Sequence, residues 1–296
     1  MKKAVLWFLI SLVGTGLVFA QEGDDDPYGW KTTLEASLAL TQAAYSDNWD
    51  GGEVGSIIWT ANVHATAQKQ LSELIRVEND LQLAFGQTHS QDQTTYEWAA
   101  PLKSTDKIDF QTLWKCTMNS FVDPYAAGQF ISQFYDASPG YEKRYLNPIE
   151  LIESAGVMKT LHEVEGSKLT TRVGLGLRQF ISQEGDSSGV ITPSQTTSDG
   201  GLEWVTNWTK KLSETTTYTT ELSVFQAFFY SEEDAVAGTP YADDWKAADV
   251  IWQNLVAAQV AQFLQVSLAW ELHYDKQISL GGRFKETLAM GVAWIL

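Results

Sequence analysis

The chain is poor in the residues on which several function classes depend. It has a single cysteine, Cys116, which excludes an internal disulfide framework and a cysteine-based structural zinc site. Its 20 Lys and Arg stand against 37 Asp and Glu, a formal net charge of -17. That balance argues against nucleic acid, whose phosphates require a basic surface. Only four histidines exist, at 64, 89, 162 and 273, and none forms an H-E-x-x-H zinc pair. After residue 21 no run approaches the roughly 20 apolar residues of a transmembrane helix, and no segment has a convincing helical period. Aromatic residues, by contrast, are abundant. The chain carries 12 Trp, 11 Tyr and 13 Phe at a mean hydropathy of -0.18, and that pairing has to be explained.

The first twenty residues read as a cleavable secretory signal. Lys2 and Lys3 precede an apolar run, and Val18-Phe19-Ala20 supplies small residues where a signal peptidase cuts. Residues 21–29, QEGDDDPYG, then form an acidic leader. From Trp30 the pattern alternates strictly. Trp30, Thr32, Leu34, Ala36, Leu38 and Leu40 share one face, opposite Lys31, Thr33, Glu35, Ser37, Ala39 and Thr41. A period of two is a strand and excludes an amphipathic helix. Similar segments recur at 56–67, 74–86, 106–117, 124–134, 148–159, 168–179, 200–210, 216–229, 249–260, 263–274 and 283–296. The spacing therefore predicts about twelve strands over residues 30–296.

Connections after even-numbered strands are short. Those at 87–105, 135–147, 180–199 and 230–248 are long and rich in Gly, Pro, Ser, Thr, Asp and Gln. Short turns alternating with long loops mark an all-β, up-and-down transmembrane barrel with its turns in the periplasm. Trp30, Trp114, Trp208 and Trp294 then fall near periplasmic strand ends, and Trp59, Trp252, Tyr274 and Phe284 near outer ends. Two interfacial aromatic belts would account for the tryptophans.

Two stretches carry a resemblance. Asp47-Asn48-Trp49-Asp50-Gly51-Gly52 follows the first strand, and Arg283-Phe284-Lys285-Glu286 opens the last, which runs on through Gly291 and Val292. With Lys103-Ser104-Thr105-Asp106-Lys107-Ile108 and Ser138-Pro139-Gly140-Tyr141, they resemble an uncharacterised family of outer-membrane β-barrels, a domain of unknown function. The resemblance spans most of the mature chain and implies a barrel of about twelve strands but no reaction. The end of the chain departs from the usual pattern. It keeps Gly291 and Trp294, but Leu296 replaces the final aromatic that the barrel-assembly machinery commonly reads, and Ala289 stands where a polar residue is commoner.

The residues expected to line the lumen are Arg76, Glu78, Asp80, Lys107, Asp109, Lys115, Arg172, Arg178, Glu221, Glu271 and His273. Lumen charges are solvated or paired and tune selectivity. Twelve strands lie between the filled interior of an eight-stranded barrel and the open channel of a sixteen-stranded one. Two readings of the lumen therefore stand: a narrow conduit or binding barrel for small polar solutes, and a structural barrel plugged by its own ion pairs. The balanced signs favour a narrow or plugged lumen.

The loop residues Asn48, Trp49, Gly51 and Gly52 fit either a mouth contact or a plain turn, since Asn and Asp bond their own backbone and Gly supplies positive φ. The acidic runs Glu232-Glu233-Asp234 and Asp243-Asp244 favour cations at the mouth and could share divalent ions with lipopolysaccharide, although their spacing is not that of a calcium loop. Val173-Gly174-Leu175-Gly176-Leu177 lies on a strand, so its glycines speak for close packing rather than nucleotide binding. A lipid hydrolase would need a serine paired with a histidine. His64 and His273 are expected to face inward, His89 to sit in a loop and His162 in a turn with Glu163 and Glu165, and Cys116 to face lipid. No cofactor or metal is expected.

Overall fold

In the computed structural model the described residues are 28–44, 53–118, 120–136, 143–185 and 190–295, with the backbone alone for Trp294 and Ile295. The expected signal peptide, the leader up to residue 27, the loop residues Asn48, Trp49, Gly51 and Gly52, and Leu296 lie outside the described residues. Fourteen strands follow in order: β1 (Lys31–Ala43), β2 (Ser56–Gln70), β3 (Ile75–Ser90), β4 (Leu102–Cys116), β5 (Asp123–Ser132), β6 (Tyr135–Asp136), β7 (Arg144–Tyr145), β8 (Ile149–Val164), β9 (Ser167–Ser182), β10 (Gln195–Lys211), β11 (Thr216–Tyr230), β12 (Asp249–Ala261), β13 (Leu264–Tyr274) and β14 (Arg283–Ile295). Twelve of them, β1–β5 and β8–β14, close into one antiparallel barrel in which sequence neighbours pair throughout. The pair β6–β7 is a separate small hairpin.

Closure satisfies the backbone around the ring, which a chain in lipid requires. Turns between β2 and β3, β4 and β5, β8 and β9, β10 and β11, and β12 and β13 are short, and the connections at the other end are longer. The short end is the periplasmic one by the rule for such barrels. No helix among the described residues is long and apolar enough to cross a membrane.

The cross-strand register assigns the two faces. Ser37 meets Asn62, His64 meets Gln82, and Gln82 meets Asp109, so one polar set runs continuously around the wall. This set is interior. Tyr125 of β5 bonds Glu203 of β10, and Arg178 of β9 bonds Asp249 of β12; such contacts skip intervening strands and must cross the lumen. The opposite face shows water-exposed apolar side chains such as Leu38, Leu175 at 66%, Phe284, Leu288 and Met290. An apolar outer face over a polar interior inverts a soluble barrel and suits hydrocarbon as the surrounding solvent. On that face indole N–H groups donate to hydroxyls of adjacent strands, Trp204 to Thr171 and Trp252 to Thr220, each at 2.9 Å. Such bonds matter where no water can replace them.

Several expectations need correction. The loops contain a one-turn helix, α1 (Glu233–Val236), a 3-10 turn at Asp244–Lys246, and the β6–β7 hairpin, because a long connection over a barrel mouth must satisfy its own backbone. His89 is in β3, not a loop, and His162 and Glu163 end β8, with Glu165 alone of the three in the turn. Both strands run past the alternation because the tilted wall continues beyond the apolar band. Tryptophans also exceed the two belts. Trp204 and Trp270 face outward between them, and Trp98 and Trp245 belong to loops.

The seam is the least extensively paired part of the ring. β1 meets β14 through five pairs, Glu35–Ile295 to Ala39–Gly291, whereas β1 and β2 pair along their full length. A Cβ on Gly291 would lie 2.5 Å from the Leu38 carbonyl oxygen, so glycine permits the close approach that shuts the barrel.

Candidate functional site

The interior is the site that the fold constructs, and its two walls differ. On the inner face of β8–β10 lie Gly156, Gly174, Gly176 and Gly201. A Cβ on Gly174 would fall 2.5 Å from the Tyr125 hydroxyl, and one on Gly176 would fall 3.1 Å from the Phe225 ring. The missing side chains leave room for these two aromatics. Packing at this wall is what the glycines of Val173–Leu177 serve.

Charged groups close over this floor. The Tyr125 hydroxyl donates to Glu203 at 3.3 Å, and Glu203 pairs with Arg172 at 3.6 Å, both partners being 8% exposed. Nearer the outer mouth the Arg178 guanidinium donates Nε to Asp199 at 2.8 Å and a terminal nitrogen to Asp249 at 2.7 Å. It also stacks 3.8 Å from the Phe225 ring centre. Above it Trp245, from the β11–β12 connection, is buried against Phe225 and Ala227. Asp244 ties the same connection to Lys276 of the β13–β14 loop at 2.9 Å. That bond holds the Lys276 ammonium above its usual range.

The opposite wall, from β13 through β14 and β1 to β4, stays open to water. His64 keeps 46% of its side chain exposed and Lys285 keeps 64%. The charges here pair locally: His64 with Asp80 at 2.8 Å, Arg76 with Glu78 at 2.8 Å and His273 with Glu271 at 2.9 Å; Lys115 and Asp123, 3.0 Å apart near the turns, are mostly buried. Lys107 sits between Asp109 at 3.1 Å and the Gln82 side-chain oxygen at 3.0 Å. The interior is therefore a packed half beside a hydrated, charge-lined half.

All eleven charged residues singled out from the sequence project from this inner face, as their registers require. Their partners differ: the structure pairs Arg172 with Glu203, Lys107 with Asp109, Arg178 with Asp199 and Asp249 near the mouth, and Lys115 with Asp123 near the turns. Sequence reasoning missed Tyr125, Asp199, Glu203, Phe225, Asp249 and Trp245. The same-parity series Asp199, Gly201, Glu203, Val205, Asn207 was readable as one face of β10, but nothing local marks Trp245 as a buried residue.

The β5 wall is short. β4 runs on to Leu102, and the gap beside it is filled by the chain around β6–β7. Asp106, its side chain 2% exposed, accepts the backbone N–H groups of Phe134 and Tyr135 and pairs with Lys103 at 3.1 Å. Arg144 pairs with Asp136, and the Gln183 N–H donates to Asn147 at 2.7 Å. The Lys103–Ile108 stretch thus staples a loop through Lys103 and Asp106, a structural role.

Among the described residues, no group of three or more His, Cys, Asp or Glu side chains is arranged to hold a metal ion. His64 and His273 bond carboxylates, and His89 lies 4.9 Å from Trp98 between ring centres. No hydroxyl is bonded to a histidine among the described residues in the manner a serine–histidine pair requires.

A closed barrel with an apolar outer face, a polar interior and turns sorted by length is an integral β-barrel protein of the outer membrane. Residues 40–138 match a family described as protein of unknown function (DUF3078). The matched stretch contains the Asp47–Gly52 and Lys103–Ile108 motifs; the final strand lies beyond it. No curated protein matches the chain. Among solved structures, the translocator domain of autotransporter NalP from Neisseria meningitidis is 12% identical over 99% of this chain and 95% of that one, with a TM-score of 0.40. The COG4313 outer membrane channel from Pseudomonas putida F1 is 13% identical over 93% and 99%, TM-score 0.41. The NanC porin is 7% identical over 88% and 98%, TM-score 0.35.

Proposed function

We propose that the protein is a narrow passive conduit for small polar solutes and not an enzyme, with the eleven inward charges lining its path. The carrying observation is the hydrated half of the interior. Its side chains remain in contact with water along β1–β4, β13 and β14 while the facing wall is packed shut. Small solutes fit such a crescent and folded proteins do not. The acidic outer connections, Glu232–Asp234 and Asp243–Asp244, raise the local cation concentration at the mouth. Lipopolysaccharide is a partner of the outer rim, and the assembly machinery reads the end of β14 through Gly291, Trp294 and Leu296.

A second reading, a plugged barrel that anchors the envelope, is favoured by one specific observation: Trp245 buried against Phe225 and Ala227. Purified protein in a planar lipid bilayer separates the two. Stepwise conductance in KCl is expected. Its absence, from protein shown to be folded, would leave the plugged barrel standing. A lipid hydrolase, the third reading, is tested by phospholipid cleavage with calcium present, and no release of fatty acid is expected.

A further inference from the structure

Lys107 is paired as the other interior cations are, with Asp109 at 3.1 Å, but its charge acts on more groups. Arg172 is held by Glu203, Arg178 by Asp199 and Asp249, and Lys285 by Glu271. Lys107 projects from the inner face of β4 with 34% of its side chain exposed. It bonds Gln82 of β3 and Asp109 of its own strand, and its charge also acts on His64 and Asp80 and, from the far side of the barrel, on Glu221 of β11 and Glu271 of β13. Gln82 and Asp109 bond this ammonium, and groups on β2, β11 and β13 feel its charge without touching it.

Asp80, Asp109, Glu203, Glu221 and Glu271 share the inner face with Lys107, Arg172 and Lys285. A permeating ion must pass through that field, where a hydrated but narrow path strengthens electrostatics relative to bulk water.

We propose that Lys107 is the specificity-determining residue of the lumen: its ammonium occupies the position that a permeating small cation or protonated amine would take, and solute competes with it for the same carboxylates. This rests on the conduit reading and names its solute class. A tethered ammonium limits the attraction of the ring for cations and narrows the crescent. Removing the charge leaves the carboxylates to the solute alone.

The test uses the full-length protein in planar bilayers under a KCl gradient, with heat-modifiable electrophoretic mobility certifying the folded barrel. Lys107→Gln, which can still bond Gln82, is expected to shift the reversal potential toward potassium, raising the cation-to-anion permeability ratio about threefold. Block of the current by butane-1,4-diamine should then need a lower concentration than in the wild type. Lys107→Arg should restore wild-type selectivity, and Glu271→Gln should shift it the opposite way.

An unchanged reversal potential in Lys107→Gln, with conductance intact, would overturn the inference and leave the conduit. Folded wild-type protein that carries no current would overturn the conduit and the inference with it.

Discussion

Arg178 offers the most exacting check on the packed wall. It is 20% exposed, bonds Asp199 through two nitrogens and Asp249 through one, and covers the Phe225 ring. Replacing it with Met keeps the contact with Phe225 and removes the charge. Two carboxylates from β10 and β12 then face each other with no cation between them. Breaking a buried pair by deleting one partner costs about 3–5 kcal/mol. Water reaches part of this group, so the low end applies, about 3 kcal/mol, or roughly a hundredfold in the folding equilibrium. The assay is reversible urea unfolding in phospholipid vesicles, followed by tryptophan fluorescence. Adding Asp249→Asn to Arg178→Met removes the repulsion and should recover about 1–2 kcal/mol, a coupling of the size seen between residues in one network. A loss below about 1 kcal/mol for Arg178→Met would show that solvent screens the cluster as on a surface. Failure of the double variant to recover stability would equally refute the reasoning.

Three further outcomes follow from particular contacts. Trp245→Ala should cost the β11–β12 connection about 3 kcal/mol of local stability, since a buried tryptophan leaves a cavity over Phe225; faster amide exchange at 231–248 with an unchanged barrel melting temperature is the expected reading, and equal loss in both would contradict it. Gly291→Val should weaken closure, because its Cβ would fall 2.5 Å from the Leu38 carbonyl oxygen; a smaller heat-resistant folded fraction is expected, and full retention would mean that the seam tolerates spreading. Asp92 accepts the backbone N–H groups of Thr95 and Thr94, which hold its carboxyl below the usual range. A lowered folded pKa contributes order above the unfolded value and loses it as pH falls through the folded one, so the Asp92 carboxyl should titrate by NMR below 3.8; a midpoint at that value would remove the argument.

The strands were legible because alternation is a property of consecutive residues. Trp30–Thr41 and Ile57–Ala67 declare two faces without help from the rest of the chain. The length-sorted connections then oriented the barrel. Limits show at β5 and β8, whose ends differ from the alternating stretches, and at His89, which β3 reaches only because the tilted wall extends past the apolar band. The β6–β7 hairpin was unreadable for a different reason: it exists to fill the gap left by a short β5 and is fixed by Asp106 and Gln183, each about thirty to forty residues away along the chain.

The interior followed the same division. That Arg76, Lys107 and Arg172 project inward could be read from parity, because each strand's phase is set locally. Which of them meet could not. Tyr125 and Glu203 stand 78 residues apart, and their contact depends on Gly174, where a side chain would collide with the Tyr125 hydroxyl.

By itself, then, the sequence determined a membrane barrel: a two-residue period, an apolar face, and turns alternating in length are all short-range and survive without a partner. Only the tertiary structure decided that the lumen is half packed and half hydrated. That division arises from ring closure, which brings strands remote in sequence within reach of one another, Tyr125 with Glu203 and Arg178 with Asp249.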